Sequence, residues 1–195
     1  MKYSIITLKK KNITDFAKER NKLLQKAKTE WVLFMDSDEK MSNALKKEIL
    51  SKISTSEVEQ DQKVAFFVFR KNYFLGKYVG CDKIIRLAKR NAGNWIRAVH
   101  ETWQIKGLIG NLKNDLIHNT ADNLTAYLNK INFYSTIHAK ENKKEGKSVN
   151  LIKIIFYPIA KFFVELVKSR NAVFSIMQSF HSFLSWSKQW ELENL

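Results

Sequence analysis

Three carboxylates stand within four positions of the segment WVLFMDSDEK, residues 31–40: Asp36, Asp38 and Glu39. They follow a bulky apolar run, Trp31 to Met35, and hard divalent cations take such oxygens. Mg²⁺ or Mn²⁺ commonly links one or two protein carboxylates to substrate phosphates. With acids at i and i+2, one reaches the metal while the other turns to a sugar or a supporting partner. A strand-end turn whose acids cap the next helix explains the same residues without any ligand. The segment VHETW, residues 99–103, adds a His-Glu pair. It falls short of the zinc-protease pattern HExxH because position 104 is Gln. Glu101 then reads as a candidate general base, with a histidine beside it able to bind metal or phosphate. The bland alternative is a strand edge with a surface Glu and a satisfied His. His118, in LIHN, supplies a further polar group.

These groups need elements to hold them. YSIITL, residues 3–8, reads as a short β-branched strand. Thr14 is placed to cap a helix that keeps apolar spacing through Ile13, Phe16, Ala17, Leu23, Leu24 and Ala27. Trp31 to Met35 is continuous rather than alternating, which predicts a strand covered on both faces, as in a parallel α/β sheet. Ligands collect at the carboxyl ends of such strands, where Asp36 stands. Ser42 or Asn43 opens a second helix carrying Leu45, Ile49 and Ile53. STSEVEQDQK reads as a polar loop and VAFFVFR, residues 64–70, as another strand. Short glycine-punctuated pieces follow and predict a small mixed or antiparallel sheet with long loops. From Asn123 the spacing is helical again, ENKKEGK reads as a polar break, and an apolar, aromatic stretch runs from Asn150 to the end.

The chain has 195 residues, 45% hydrophobic and 27% charged, enough for one well-cored domain with an appendage. Its net charge of +15 suits a polyanionic partner, although dispersed lysines also make an ordinary solvated surface. Nucleic acid is excluded as a partner at this stage, because no binding signature and no aromatic-interleaved basic stripe is present. Cys81 is the single cysteine, so no internal disulfide forms and a reducing compartment is implied. The opening apolar run is too short for a signal peptide, and no uncharged stretch of about twenty apolar residues occurs.

Taken in order, FAKERN, WVLFMDSDE, DKIIRLAKR, WIRAVHETW and GNLKNDLIH resemble family 2 glycosyltransferases, nearest the lipopolysaccharide-core β-glucosyltransferase-like branch. The resemblance covers about residues 11–118 and, more loosely, NLTAYLNKINFYS. It implies a shortened GT-A-like α/β sheet with flanking helices, a nucleotide-sugar donor, Mg²⁺ or Mn²⁺, and inverting transfer. It assigns Asp36 to the donor, Asp38 to the metal, and Arg20 with Asn21 to the nucleotide. It makes Glu101 the catalytic base, Arg86 a diphosphate contact and His118 a metal ligand. Family members open with a strand, a helix and a second strand that hold the nucleoside base. Here the acidic strand end arrives by residue 36, which implies that this opening unit is not in the sequence.

The resulting organisation is a truncated catalytic core over 1–120, a helix and polar break over 121–148, and an apolar helical region over 149–195. In LIKIIFYPIAKFFVELVK a narrow lysine face, Lys153, Lys161 and Lys168, opposes a wide aromatic one. That pattern fits a helix lying in a membrane surface, with Pro158 kinking or breaking it. A helix packed on the domain's own core, a homodimer interface or a partner chain accounts for it too. The expectation is a glycosyltransferase acting on a glycan or lipid-linked acceptor of the cell envelope. It would be cytoplasmic and peripheral on the inner membrane face. The competing reading is a non-catalytic glycosyltransferase-like scaffold that binds a partner or a membrane.

Overall fold

The computed structural model describes residues 3–9, 13–54, 63–98 and 101–195. Val99 and His100 of VHETW, and residues 55–62 of the expected polar loop, lie outside them. The described chain forms two compact units, residues 1–72 with 81–118, and residues 73–80 with 119–195.

In the first unit β1 (Tyr3–Thr7) leads through α1 (Phe16–Lys26) to β2 (Trp31–Met35). The cap of α1 is Asp15, one residue later than Thr14: its carboxylate accepts the Lys18 backbone N–H at 2.8 Å. A tight turn joins β2 to β3 (Glu39–Met41), and α2 (Asn43–Ser54) follows. Ser42 Oγ accepts the Leu45 N–H at 3.1 Å, the cap that the sequence offers there. Next come β4 (Lys63–Phe74), β5 (Lys77–Lys89), β6 (Gly93–Ile96), β7 (Thr102–Ile105), β8 (Leu108–Asn111) and β9 (Leu116–Ala121).

The main sheet has the order β1-β2-β5-β4-β9-β3, with β8 alongside β4, while β6 and β7 pair separately. It is mixed: β2 is parallel to β1 but antiparallel to β5. Both faces of β2 are covered, which is why its sequence does not alternate. Trp31 and Leu33 pack in a cluster with Leu45, Ile49, Phe66 and Leu116. Val32 and Phe34 pack in the other, with Ala17, Leu24, Trp95 and Trp103. Burying each of these large side chains contributes about 1.5–3 kcal/mol.

Where the sequence shows separate pieces after residue 70, β4 and β5 form one long hairpin. Its turn is Leu75-Gly76, both at positive φ (49° and 75°), the geometry that two-residue hairpins favour. The tip of this hairpin and the end of β9 belong to the second unit. There Phe74, Val79, Tyr127, Ile131 and Phe174 make a core. The helices are α3 (Leu124–Lys144), α4 (Leu151–Ser169) and α5 (Ala172–Asn194), and α5 packs against both of the others. Helix α3 runs through the first half of ENKKEGK, with a Lys144–Glu141 ion pair at 2.8 Å, and ends at Lys144; the break falls in the second half, where Gly146 takes a positive φ of 68°. Pro158 lies inside a single continuous α4.

Candidate active site

The strand order of the first unit gathers charged side chains from distant positions at one place. Arg20 projects from α1, Asp36 and Asp38 follow β2, and Glu39 begins β3. Arg70 comes from β4, Arg86 and Asp82 from β5, Glu101 precedes β7, and His118 sits on β9. In the β3–β9 ladder Glu39 stands opposite His118.

Asp36 is gripped from two sides. Its Oδ1 accepts from Arg20 at 2.6 Å and its Oδ2 from Arg86. Burial pushes its carboxyl pKa up, but the guanidinium groups of Arg86 and Arg20 outweigh this and hold it below the usual value. Arg20 is almost wholly buried, and it also donates through Nε to Glu101 Oε1 at 2.9 Å. Its flat guanidinium lies over Trp95, 4.7 Å from the ring centre, so packing as well as charge fixes it. Burial lowers the pKa of Arg86; Asp36 and Glu39 more than compensate, so its charge is secure.

Glu39 closes the turn. Its backbone N–H donates to Asp36 O at 3.0 Å, and its Oε2 accepts the Asp36 N–H at 3.0 Å. Its Oε1 accepts from Arg86 at 2.8 Å and from Arg70 at 3.2 Å. A buried carboxylate so fully satisfied is held as part of the frame.

Asp38 meets His118, whose Nε2 lies 3.3 Å from Oδ2. The far side of the imidazole sets its tautomer. Asn72 donates through Nδ2 to Asp82 Oδ2 at 3.0 Å, which leaves Asn72 Oδ1 to accept from His118 Nδ1 at 2.7 Å. Nδ1 therefore carries a hydrogen. Nε2 and the Asp38 oxygen are then both lone-pair atoms unless a proton or a cation lies between them. One imidazole nitrogen and one carboxylate fit Mg²⁺ or Mn²⁺, which complete their shells with phosphate and water. Among the described residues no group of three or more His, Cys, Asp or Glu is arranged to hold a metal. A cation between Asp38 and His118 would have two protein ligands, with its other positions open to water or phosphate. The cluster sets five carboxylates against three guanidinium groups, a local negative excess inside a chain of net charge +15.

No family model matches the chain. It is 26% identical over 151 residues to the lipopolysaccharide core biosynthesis glycosyltransferase LpsC of Rhizobium meliloti (strain 1021). That alignment covers 73% of this chain and 54% of LpsC, so the chain spans about half the length of this relative. The likeness supports a glycosyltransferase relationship.

Of the residues singled out in the sequence, Arg20, Asp36, Arg86 and Glu101 form one connected set. Asp38 and His118 form a second, adjoining pair. Asn21 is engaged elsewhere. Its Nδ2 donates to Trp95 O at 2.8 Å and its Oδ1 accepts the Trp95 N–H at 2.9 Å, clamping α1 to β6. It also lines a separate concavity of about 540 Å³ with Gln25, Arg90 and Lys106. Arg70, Asn72 and Asp82 were not foreseen. The available signal was a cation closing the apolar run VAFFVFR, with polar Asn72 two positions on, both on the same face of a strand.

Proposed function

We propose that this chain transfers a sugar from a nucleotide-sugar donor to an acceptor hydroxyl, with inversion at the anomeric carbon, at the cluster around Asp36 and Asp38. The observation that carries this reading is the meeting of residues scattered in sequence: Asp36, Arg86 and Glu101 in one set, and the Asp38–His118 pair joined to it through Asn72, Asp82, Arg70 and Glu39. The likeness to LpsC supports glycosyl transfer in general.

In this reading Asp38 and His118 hold Mg²⁺ or Mn²⁺. When bound, the cation neutralises charge on the diphosphate leaving group. Asp36, kept ionised by Arg20 and Arg86, accepts hydrogen bonds from donor hydroxyls. Arg86 sets a fixed positive charge beside the leaving group, where preorganised charge stabilises a transition state most effectively. Glu101 takes the proton of the attacking acceptor hydroxyl, and Arg20 fixes the direction in which that carboxylate points. A single displacement with one base inverts the configuration. The acceptor is a glycan or a lipid-linked sugar of the cell envelope.

Calorimetric titration of the purified chain with a panel of nucleoside diphosphates, with Mn²⁺ and then with chelator, tests this. The expected result is metal-dependent binding that disappears in Asp38→Ala and in His118→Ala. Binding that persists in both variants removes the metal role. No binding to any nucleotide favours a non-catalytic scaffold.

A further inference from the structure

Helix α4 presents its apolar side outward. Ile152, Ile155, Phe156, Phe163 and Val167 are all more than half exposed, Val167 at 79%. They recur at helical spacing along 19 residues, a strip about 28 Å long. The side turned inward is the one that carries Pro158 and Ser169, both buried, and Ser179 Oγ of α5 donates to Pro158 O at 2.8 Å. The charged residues of α4 do not interrupt the strip. Lys161 pairs with Glu165 at 2.9 Å, and Lys153 lies over the Trp186 ring at 5.3 Å. This inverts the usual amphipathic surface helix, which buries its apolar stripe.

We infer that this face of α4 lies in the interfacial layer of an anionic lipid membrane. Charge decides between possible occupants. Residues 140–170 hold eight Lys and Arg against three Glu. These cations attract anionic headgroups and repel the same segment of a second copy. Among the described residues no helix is long and apolar enough to cross a membrane, so the helix rests in the surface. The inference does not depend on the transferase reading, because lipid binding is measured without a substrate.

The test is flotation of the full chain with vesicles of equal parts phosphatidylcholine and phosphatidylglycerol, and with vesicles of phosphatidylcholine alone. The double variant Ile155→Gln, Phe163→Gln changes two exposed positions, and circular dichroism checks that it keeps its helix content. The expected outcome is co-flotation with the anionic vesicles that weakens about tenfold or more on phosphatidylcholine alone and in the double variant. Absence of co-flotation overturns the inference, as does binding that the double variant leaves unchanged. Light scattering that shows a dimer of the lipid-free chain, dissociated by the double variant, assigns the face to a second copy and overturns it as well.

Discussion

Replacing Arg20 by Met keeps most of the stem and removes the guanidinium that joins Asp36 to Glu101. Taking one partner out of a buried ion pair costs about 3–5 kcal/mol. Here Asp36 keeps Arg86 and is 29% exposed, whereas Glu101 is 16% exposed. The low end therefore applies, about 3 kcal/mol. The assay is urea unfolding followed by tryptophan fluorescence, in a background where Trp186 and Trp190 are Phe. The remaining tryptophans, Trp31, Trp95 and Trp103, all report on the first unit. With a slope of about 2 kcal/mol per molar urea, the midpoint falls by about 1.5 M. The difference also depends on pH. The carboxyl pKa of Asp36 lies below its ordinary value in the fold, so its ion pairing stabilises fully above the ordinary carboxylate range. That stabilisation disappears as pH falls through the depressed value. The gap between parent and variant must therefore narrow in acid. A midpoint drop below about 0.3 M, or a gap that stays constant into strong acid, refutes the clamp.

Glu48→Gln is expected to cost about 1–2 kcal/mol at neutral pH, because Glu48 accepts the backbone N–H groups of Lys113 at 2.7 Å and Asn114 at 2.9 Å. Burial raises the Glu48 pKa but these donors lower it further, so the penalty shrinks as pH falls through the depressed value; denaturant midpoints across pH measure this. Gly93→Ala sets a Cβ 1.9 Å from Gln104 O, which forces the β6–β7 ladder apart, and thermal unfolding should show a loss of about 1–3 kcal/mol or more. Burial pushes the Tyr127 phenol up to about 12, although Gln178 donates to it and pulls it down. Burial raises the Tyr3 phenol as well, so an ultraviolet titration in a Tyr3→Phe background should show the late Tyr127 step, later still in Gln178→Leu. The stability tied to its neutral form is complete below the ordinary tyrosine value and is lost as pH rises through about 12.

Local signals were legible in the sequence where a side chain acts on its own backbone or where both faces of a strand are filled. WVLFM could be placed as Trp31–Met35 because burial on two sides leaves no room for polar alternation. The starts of α2 at Ser42 or Asn43 and of α3 after Asn123 were legible, and in the structure the Ser42 and Asn123 oxygens reach N–H groups three residues on; the first helix is capped by Asp15 rather than Thr14. The long β4–β5 hairpin was hidden because its turn uses Leu75, a residue that seldom takes positive φ, in place of Asn or Asp before Gly. The mixed pairing of β2 was hidden too, since an apolar run is equally content beside a parallel or an antiparallel neighbour. In the candidate site, residue types and order were visible, but partnership was not. Arg20 and Asp36 each carry chemistry suited to a nucleotide, yet only the fold shows them 2.6 Å apart and bound to one another. The placing of the His118 Nδ1 hydrogen by Asn72 and Asp82 depends on register between strands that no local pattern records.

The strand order has a consequence in time. Strand β2 sits between β1, reached after one helix, and β5, whose pairing residues Leu87, Ala88 and Lys89 lie more than fifty positions along the chain. Closing so long a loop is slow, because its entropy is lost before the contacts form. Helices α4 and α5 are separated by only Arg170 and Asn171 and pack directly on each other, so their meeting is a local and fast event. Refolding should accordingly give rapid recovery of helical signal and a later phase in which the tryptophans beside Arg20 become fixed. On that schedule the acidic turn acquires its arginine partners last, and the charges of the site come to rest only when the sheet is complete.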